Sequence, residues 1–413
     1  MRILLVTQYY WPENFPINSL TSQLVARGLD ITVLTGKPNY PDGDIFSGYR
    51  AGGMQIESHK NVTILRVPIV PRGDHSAVGL MLNYLSFIIS ALIWGTYLLR
   101  ERKYDLVFVY APSPLIQALP AIWLAHNRRV PLIVWVQDLW PESLSATGFI
   151  KKKWLLNIVA SIIKFIYKSC DRILVQSQAF FNPVAKLTSD IKKIHYYPNQ
   201  YQPVSSSSSV TYPAEELVKT LRAHFCIVFA GNLGTAQGLD VIIGAARLLK
   251  NHTKIRIVLV GSGSMNGWLE QEREIHGLHN LILAGRFEES DMHAIFSAAE
   301  ALLVSLGPNP AFNQTMPSKI QAYLFAGRPI LASLSGEGTR IIVESGAGLC
   351  SESGDADALA NNMLKIEGMT SLRRQQMGLS GRRYFDEHFS PSKLTDELVE
   401  HFKEIISRSE LQK

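Results

Sequence analysis

A lysine in the first turn of a helix opposes the helix dipole, and Lys319 falls in such a position. In the run Gln314-Thr-Met-Pro-Ser-Lys-Ile-Gln321, Pro317 suits the opening turn of a helix and Lys319 follows two residues on. Binding an anion relieves that arrangement; the bland alternative is a surface lysine screened by solvent. Gln314, Ser318 and Lys319 are therefore candidate contacts to an anionic ligand. Upstream, Gly231-Asn-Leu-Gly-Thr-Ala-Gln-Gly238 follows an apolar run and precedes a helical one. Glycine there lets a ligand approach the backbone, and the helix start offers free N–H groups to a diphosphate. Gly261-Ser-Gly-Ser264 and Gly285-Arg-Phe287 also follow apolar runs. Glycine after three successive strands points to a nucleotide-binding sheet edge. The candidate nucleotide contacts are Gly231, Asn232, Gly234, Gln237, Gly261, Gly263, Arg286 and Phe287, with Gln314, Ser318 and Lys319. The spacing is not GxGxxG and lacks the acidic partner of a dinucleotide ribose, which argues against NAD.

The first half carries a different chemistry. Gln8-Tyr-Tyr-Trp-Pro-Glu-Asn-Phe-Pro-Ile-Asn18 is aromatic and polar, suited to stacking on sugars, and offers Trp11, Glu13, Asn14 and Asn18. Gln137-Asp-Leu-Trp-Pro-Glu142 places Asp138 just beyond an apolar run, as a cleft carboxylate or a turn cap. Two Asp-x-Asp matches imitate metal–diphosphate sites. Asp42-Gly-Asp44 sits in a turn sequence, and Asp355-Ala-Asp357 precedes a helical run that it caps. No metal and no cofactor is expected.

Short apolar runs must position these residues. They fall at 3–7, 31–35, 62–67, 106–110, 132–136 and 172–175, and the pattern restarts at 226–230, 255–260, 281–284, 301–304 and 329–332. Strands apolar on both faces belong to parallel sheets, and two such series predict two doubly wound α/β domains. The chain has 413 residues, room for two domains of ~100–200 residues each. The expected division is 1–203, a linker over 204–222 that contains the serine run 205–209, 223–390, and a helix at 391–413 packing back towards the first domain.

Charge is uneven: residues 1–200 carry +9 and the remainder −3, within a net +6. A basic first half suits an anionic membrane or a phosphate-bearing substrate, and the acidic second half argues against nucleic acid. Three cysteines without a CxxC fit a reducing cytoplasm and no zinc site. The segment 77–99 holds no charged residue and is long enough to span a bilayer. Spanning would split the first sheet. The other readings are a buried core helix, or a helix with one face on the sheet and the other in the membrane. The run 151–168 is basic, apolar and flanked by Trp154 and Tyr167, which favours peripheral docking.

With these pieces assembled, the chain resembles retaining glycosyltransferases of the GT-B fold in the large bacterial family numbered four. Within that family it resembles the WbuB-like and WcaI-like branch of O-antigen, capsule and colanic acid assembly, which includes L-fucosamine transferases. The resemblance covers nearly the whole length. It rests on Thr35-Gly-Lys-Pro-Asn-Tyr-Pro41, Val136-Gln-Asp-Leu-Trp-Pro-Glu142, Ala230-Gly-Asn-Leu-Gly-Thr-Ala-Gln-Gly238 and Met316-Pro-Ser-Lys-Ile-Gln321. It implies two Rossmann-like domains with an interdomain cleft, the donor mainly on the second and the acceptor on the first. The family commonly has arginine and lysine where Asn232 and Gln237 stand, glutamates at Gln314 and Ala322, and histidine at Gln137; Lys319 and Arg286 are the replacement cations.

The expected reaction is transfer of a hexosyl or N-acetylamino-sugar unit, for example N-acetyl-L-fucosamine, from a UDP-sugar. The acceptor is a polyprenyl-diphosphate-linked oligosaccharide, configuration is retained, and Gln137, Asp138 and Lys319 are the catalytic candidates. Lys319, Arg286 and the amides of residues 231–234 are expected to stabilise the leaving diphosphate. The enzyme is expected in the cytoplasm, bound peripherally to the inner face of the bacterial inner membrane, an anionic surface. Two rivals keep the same fold: a UDP-sugar epimerase, and a non-catalytic assembly partner.

Overall fold

The apolar runs become strands because each is buried on both faces. The computed structural model describes residues 1–73, 76–146, 152–188, 190–202 and 211–411. Among these, two parallel sheets form, and the chain divides into Met1–Gln200 with Pro391–Lys413, and Tyr201–Ser390.

The first sheet comprises β1 (Arg2–Val6), β2 (Asp30–Thr35), β3 (Gln55–His59), β4 (Val62–Arg66), β5 (Leu106–Ala111), β6 (Leu132–Val136), β7 (Arg172–Val175) and β8 (Ile194–Tyr196). Its spatial order is β3-β4-β2-β1-β5-β6-β7-β8. Alternate residues of each strand serve opposite faces. Leu4 and Val6 join one core with Phe87, Leu124 and Ile163, while Ile3 and Leu5 join another with Leu20, Leu398 and Phe402. Helices therefore cover both faces: Ala77–Ser90, Leu119–Arg128 and Lys153–Ser169 on one, Pro16–Ala26 and Pro391–Leu411 on the other. The last helix presents Leu394, Leu398, Phe402 and Ile405 at a spacing of three to four, an apolar stripe buried on the first sheet. Tyr197 donates from its hydroxyl to the Leu394 carbonyl at 3.0 Å, and Arg27 pairs with Asp396 at 2.5 Å.

The second unit contains β9 (Phe225–Ala230), β10 (Ile255–Val260), β11 (Leu281–Gly285), β12 (Ala301–Ser305), β13 (Ile330–Ser333) and β14 (Gly348–Ser351). The order is β11-β10-β9-β12-β13-β14, all parallel, again with a core on each face.

Two features depart from the sequence reading, and a third sorts its alternatives. The strands β3, β8 and β14 were not expected. Each lies at a sheet edge, where one face is wet and the all-apolar signal is lost. β3 is also antiparallel to β4, joined through Lys60 and Asn61, both with positive φ. Second, the linker expected over 204–222 is not all linker. Residues 203–210, with the serine run, lie outside the described residues, but Tyr212–Ala223 is a helix. Its Ala214, Leu217 and Leu221 enter the second unit's core at helical spacing.

Third, Ala77–Leu99 is not a buried core helix. It runs unbroken through a π-helical turn at Ala91–Gly95, with Phe87, Ala91 and Leu99 buried against the sheet. Gly95 meets Leu34 so closely that a Cβ would lie 2.8 Å from its side chain. The opposite face is open: Val78 is 70 % exposed, Ile89 55 % and Ile93 59 %. The segment is long and apolar enough to cross a membrane by length and composition. Yet β5, which follows it, pairs with β1, so the first sheet is unbroken.

Candidate functional site

In the second unit the loops after β9, β10 and β11 lie side by side because those strands are neighbours. Their glycines are required by contact. Gly261, at φ +139°, would place a Cβ 1.9 Å from the Gly231 carbonyl oxygen. Gly231, at φ +141°, would place one 2.5 Å from Cε of Lys319 and 2.9 Å from its Nζ. The loops bond to one another: the amide of Gly231 donates to Val260, that of Leu233 to Ser262 and that of Gly261 to Gly285. This corrects part of the expected diphosphate cradle. The amides of Gly231 and Leu233 are engaged internally, which leaves those of Asn232 and Gly234 as the loop's donors among the described residues.

Lys319 enters from the first turn of the helix Ser318–Ala326. Its amine lies 3.8 Å from the centre of the Phe229 ring and donates to Oε1 of Gln237. No carboxylate among the described residues pairs with it, and burial lowers its pKa to about 7. A half-buried amine without a counter-ion beside a glycine loop is ready for an anionic ligand. Tyr323 of the same helix fixes the end of β9: the Ala230 amide donates to its hydroxyl at 3.0 Å.

A cavity of about 520 Å³ opens beside these loops. Gly231, Asn232, Gly261, Arg286 and Phe287 line it. Gly234, Gln237, Gly263, Gln314, Ser318 and Lys319 do not, although Lys319 stands directly behind Gly231. Arg286 is exposed at the cavity wall and has no carboxylate partner among the described residues. The sequence reading missed Tyr201, Glu289, His293, Phe296 and Phe325, which complete the wall. They come from a loop and two helices whose inward faces only packing reveals. Ala322 also lines the cavity. The arrangement offers a mixed polar and aromatic hollow of ligand size, with Arg286 in its wall and Lys319 against Gly231 of its lining.

In the first unit, Glu13 is 2 % exposed. Its carboxylate accepts from the amides of Tyr10 at 3.1 Å, Asn39 at 2.9 Å and Tyr40 at 2.8 Å. Glu13 thus ties the loop after β1 to the loop after β2 rather than facing solvent. Asn18 also works inside the loop, accepting from the Trp11 amide and donating to the Glu13 carbonyl. Trp11 stacks on His59 at 4.0 Å, and Asn14 is exposed.

Asp138 follows β6 and is half-buried, accepting from Trp140 Nε1 at 3.2 Å and Ser143 Oγ at 3.1 Å. Burial raises its pKa against those donors. Gln137 receives a bond from Gln176 at its carbonyl, and its own Nε2 is buried without a partner among the described residues. Arg72, absent from the sequence reading, places its guanidinium over Tyr40 at 5.0 Å and Tyr9 at 5.9 Å. Tyr84 is electrostatically coupled to both Arg72 and Asp138. Of the two Asp-x-Asp matches, Asp355 caps the helix Ala356–Gly368 by accepting from the Ala358 amide at 2.8 Å.

Comparison with known proteins follows the division into two units. Residues 17–200 match the family described as "Glycosyl transferase 4-like domain", and residues 224–367 match "Glycosyl transferases group 1". The chain is 22 % identical over 348 residues to WcaI of Escherichia coli K12, a protein named as a colanic acid biosynthesis glycosyl transferase. That match covers 79 % of this chain and 82 % of WcaI. It is 21 % identical to O-antigen chain mannosyltransferase C of Escherichia coli, over 98 % of this chain and 99 % of that one. The solved structure of Anabaena HepE in complex with UDP superposes with a TM-score of 0.69 at 14 % identity. It covers 98 % of this chain and all of HepE.

Proposed function

This chain is a glycosyltransferase of the GT-B fold, and from that premise we propose that it moves a sugar from a UDP-sugar to a lipid-linked intermediate of surface-polysaccharide assembly. The observation that carries the donor reading is the Lys319 amine held behind Gly231, beside the 520 Å³ cavity. Where the resembling family has a loop lysine, this chain has Gln237, and Gln237 receives the amine of Lys319. The cation thus reaches the same loop from the helix Ser318–Ala326. HepE binds UDP on a similar fold, which supports UDP as the nucleotide. WcaI and mannosyltransferase C, named for colanic acid and O-antigen, support a polysaccharide pathway, in which N-acetyl-L-fucosamine is one candidate donor sugar.

Retention follows a front-side path. The acceptor oxygen bonds to the anomeric carbon as its bond to the diphosphate oxygen breaks, and the departing diphosphate takes the acceptor proton. Lys319 and Arg286 stabilise the charge that develops there, and the desolvated Lys319 acts more strongly than a cation in bulk solvent. Asp138 and Gln137 orient the acceptor hydroxyl in the first unit, with Trp11 and Asn14 at its sugar and Arg72 at its phosphate. The enzyme docks peripherally on the inner face of the bacterial inner membrane. The open face of Ala77–Leu99 supports this, together with Trp154, Ile158 and Phe165 exposed on Lys153–Ser169; Lys151 lies outside the described residues. A mass-spectrometric screen of UDP-sugars with membrane lipid extract tests the whole reading. A mass increase of one sugar on a lipid acceptor is expected. Interconversion of the UDP-sugar without acceptor would establish an epimerase instead.

A further inference from the structure

A second concave site lies in the first unit, at the edge where its strands begin. Pro131 precedes β6, Asp171 precedes β7 and Lys193 precedes β8, and all three line a pocket of about 400 Å³. The substrate loops follow the opposite ends of these parallel strands. Five cationic residues converge on the pocket from four elements. Arg129 ends the helix Leu119–Arg128, Arg172 opens β7, Lys192 and Lys193 form the turn before β8, and Arg408 stands on Pro391–Leu411. Two carboxylates share the lining, and backbone amides engage both: Asp171 accepts from Leu132 at 2.8 Å and Asp190 from Lys192 at 3.0 Å. Lys193 is held by the Cys170 carbonyl at 2.8 Å. Arg129, Lys192 and Arg408 have no carboxylate within 4 Å among the described residues. Arg172 is 1 % exposed; its terminal nitrogens meet His401 and Glu404, and its Nε has no partner among the described residues.

The pocket continues into an apolar groove. A hollow of about 780 Å³ shares Arg129, Val130 and Asp171 with it and runs between Leu119–Arg128 and Lys153–Ser169. Ile122, Trp123 and Phe165 line that groove, with Trp123 49 % and Phe165 53 % exposed. A free phosphate would use the basic pocket and leave the groove wet. An apolar ligand would use the groove and leave the cations unpaired. A molecule with a phosphodiester head and an acyl chain satisfies both.

We propose that this composite site binds one anionic glycerophospholipid of the bilayer, headgroup in the basic pocket and acyl chain in the groove. The assignment rests on the peripheral-docking reading and adds to it a specific lipid site at the strand-start edge, away from donor and acceptor.

The test is flotation of the purified enzyme with vesicles of phosphatidylcholine alone, or with one third phosphatidylglycerol. Each basic residue near an anionic surface contributes about 1 kcal/mol, so removing two weakens binding roughly thirtyfold. Lys192→Gln with Arg408→Gln is expected to lose about that factor on anionic vesicles and nothing on neutral ones. Trp123→Ala is expected to weaken both. Lys219→Glu with Lys365→Glu, exposed charges of the second unit, is expected to change neither. UDP affinity stays at the wild-type value in every variant, which confirms folding. Wild-type binding by the Lys192/Arg408 variant overturns the pocket alone, as does an equal loss in the Lys219/Lys365 control. Displacement of the wild type by millimolar inorganic phosphate, but not by sodium chloride of equal ionic strength, assigns the pocket to free phosphate and overturns the lipid. Failure of the wild type to float with either vesicle overturns the docking reading and the site with it.

Discussion

The amine of Lys319 lies 3.8 Å from the centre of the Phe229 ring, and the same nitrogen donates to Gln237 Oε1. An aromatic face and a neutral amide are weak substitutes for a carboxylate, so the cation keeps most of its capacity for a ligand. Lys319→Ala is expected to weaken UDP binding about ten- to hundredfold, the cost of one charge-assisted contact. Arg286 is exposed, so Arg286→Ala is expected to cost less than about tenfold, because solvent screens its contact. Calorimetric UDP titration of both variants checks the order.

The same burial makes UDP binding depend on pH. Lys319 titrates near pH 7 in the free protein, since desolvation disfavours its charged form. A bound diphosphate favours the charged form. Above pH 7 the amine must therefore take a proton from solvent as UDP binds. Affinity is expected to fall with rising pH, by up to about tenfold per unit, from loss of the protonated fraction. Titrations in buffers of different ionisation enthalpy should show proton uptake approaching one at pH 8.5. Lys319→Ala should remove it.

Gly261 and Gly267 make a contrasting pair. A Cβ on Gly261 would meet the Gly231 carbonyl at 1.9 Å, in a backbone conformation that suits only glycine. Gly267 has open space and lies in the helix Asn266–His276. Gly261→Ala is expected to cost about 2–4 kcal/mol from strain and displaced loops. Gly267→Ala is expected to add roughly 0.5–1 kcal/mol through helix propensity. Thermal unfolding of the two variants measures both signs.

These glycines also mark how far the sequence could be read. Residues 226–230, 255–260 and 281–284 were legible as strands because both faces are apolar, and the glycine after each marks one shared sheet edge. Gln55–His59 was illegible for the opposite reason: this edge strand alternates Gln, Glu and His with Ile56 and Ser58, so only one residue is apolar. Glu289, His293 and Phe325 were illegible because no spacing rule connects them. Only the packing of the turn Glu289–Asp291 and the helix Met292–Ala298 beside Ser318–Ala326 brings them to one cavity. Ala77–Leu99 stood between. Its length and lack of charge were plain, but which face is open depends on the sheet beneath it.

Glu13 is buried and accepts from three backbone amides. Glu13→Ala leaves those donors without a partner and is expected to destabilise the first unit by about 2–4 kcal/mol. UDP affinity, a property of the second unit, should not change. Differential scanning calorimetry with parallel UDP titration separates the two effects.

The proposal that transfer needs no metal draws on what Asp355 does. Its Oδ1 accepts from the Ala358 amide at 2.8 Å, as a helix cap requires, so Asp355-Ala-Asp357 spends its first carboxylate on the backbone. Asp42 and Asp44 flank Gly43, whose φ of +94° and close approach to the Gly73 carbonyl make the segment a tight turn. In the proposed reaction, Lys319 and Arg286 neutralise the charge on the leaving diphosphate. Asp355→Ala is expected to cost about 1 kcal/mol of stability, the usual worth of a cap, and to leave turnover unchanged. EDTA is likewise expected to leave sugar transfer unchanged. Activity abolished by EDTA and restored by Mg²⁺ or Mn²⁺ would show that the two cations do not suffice.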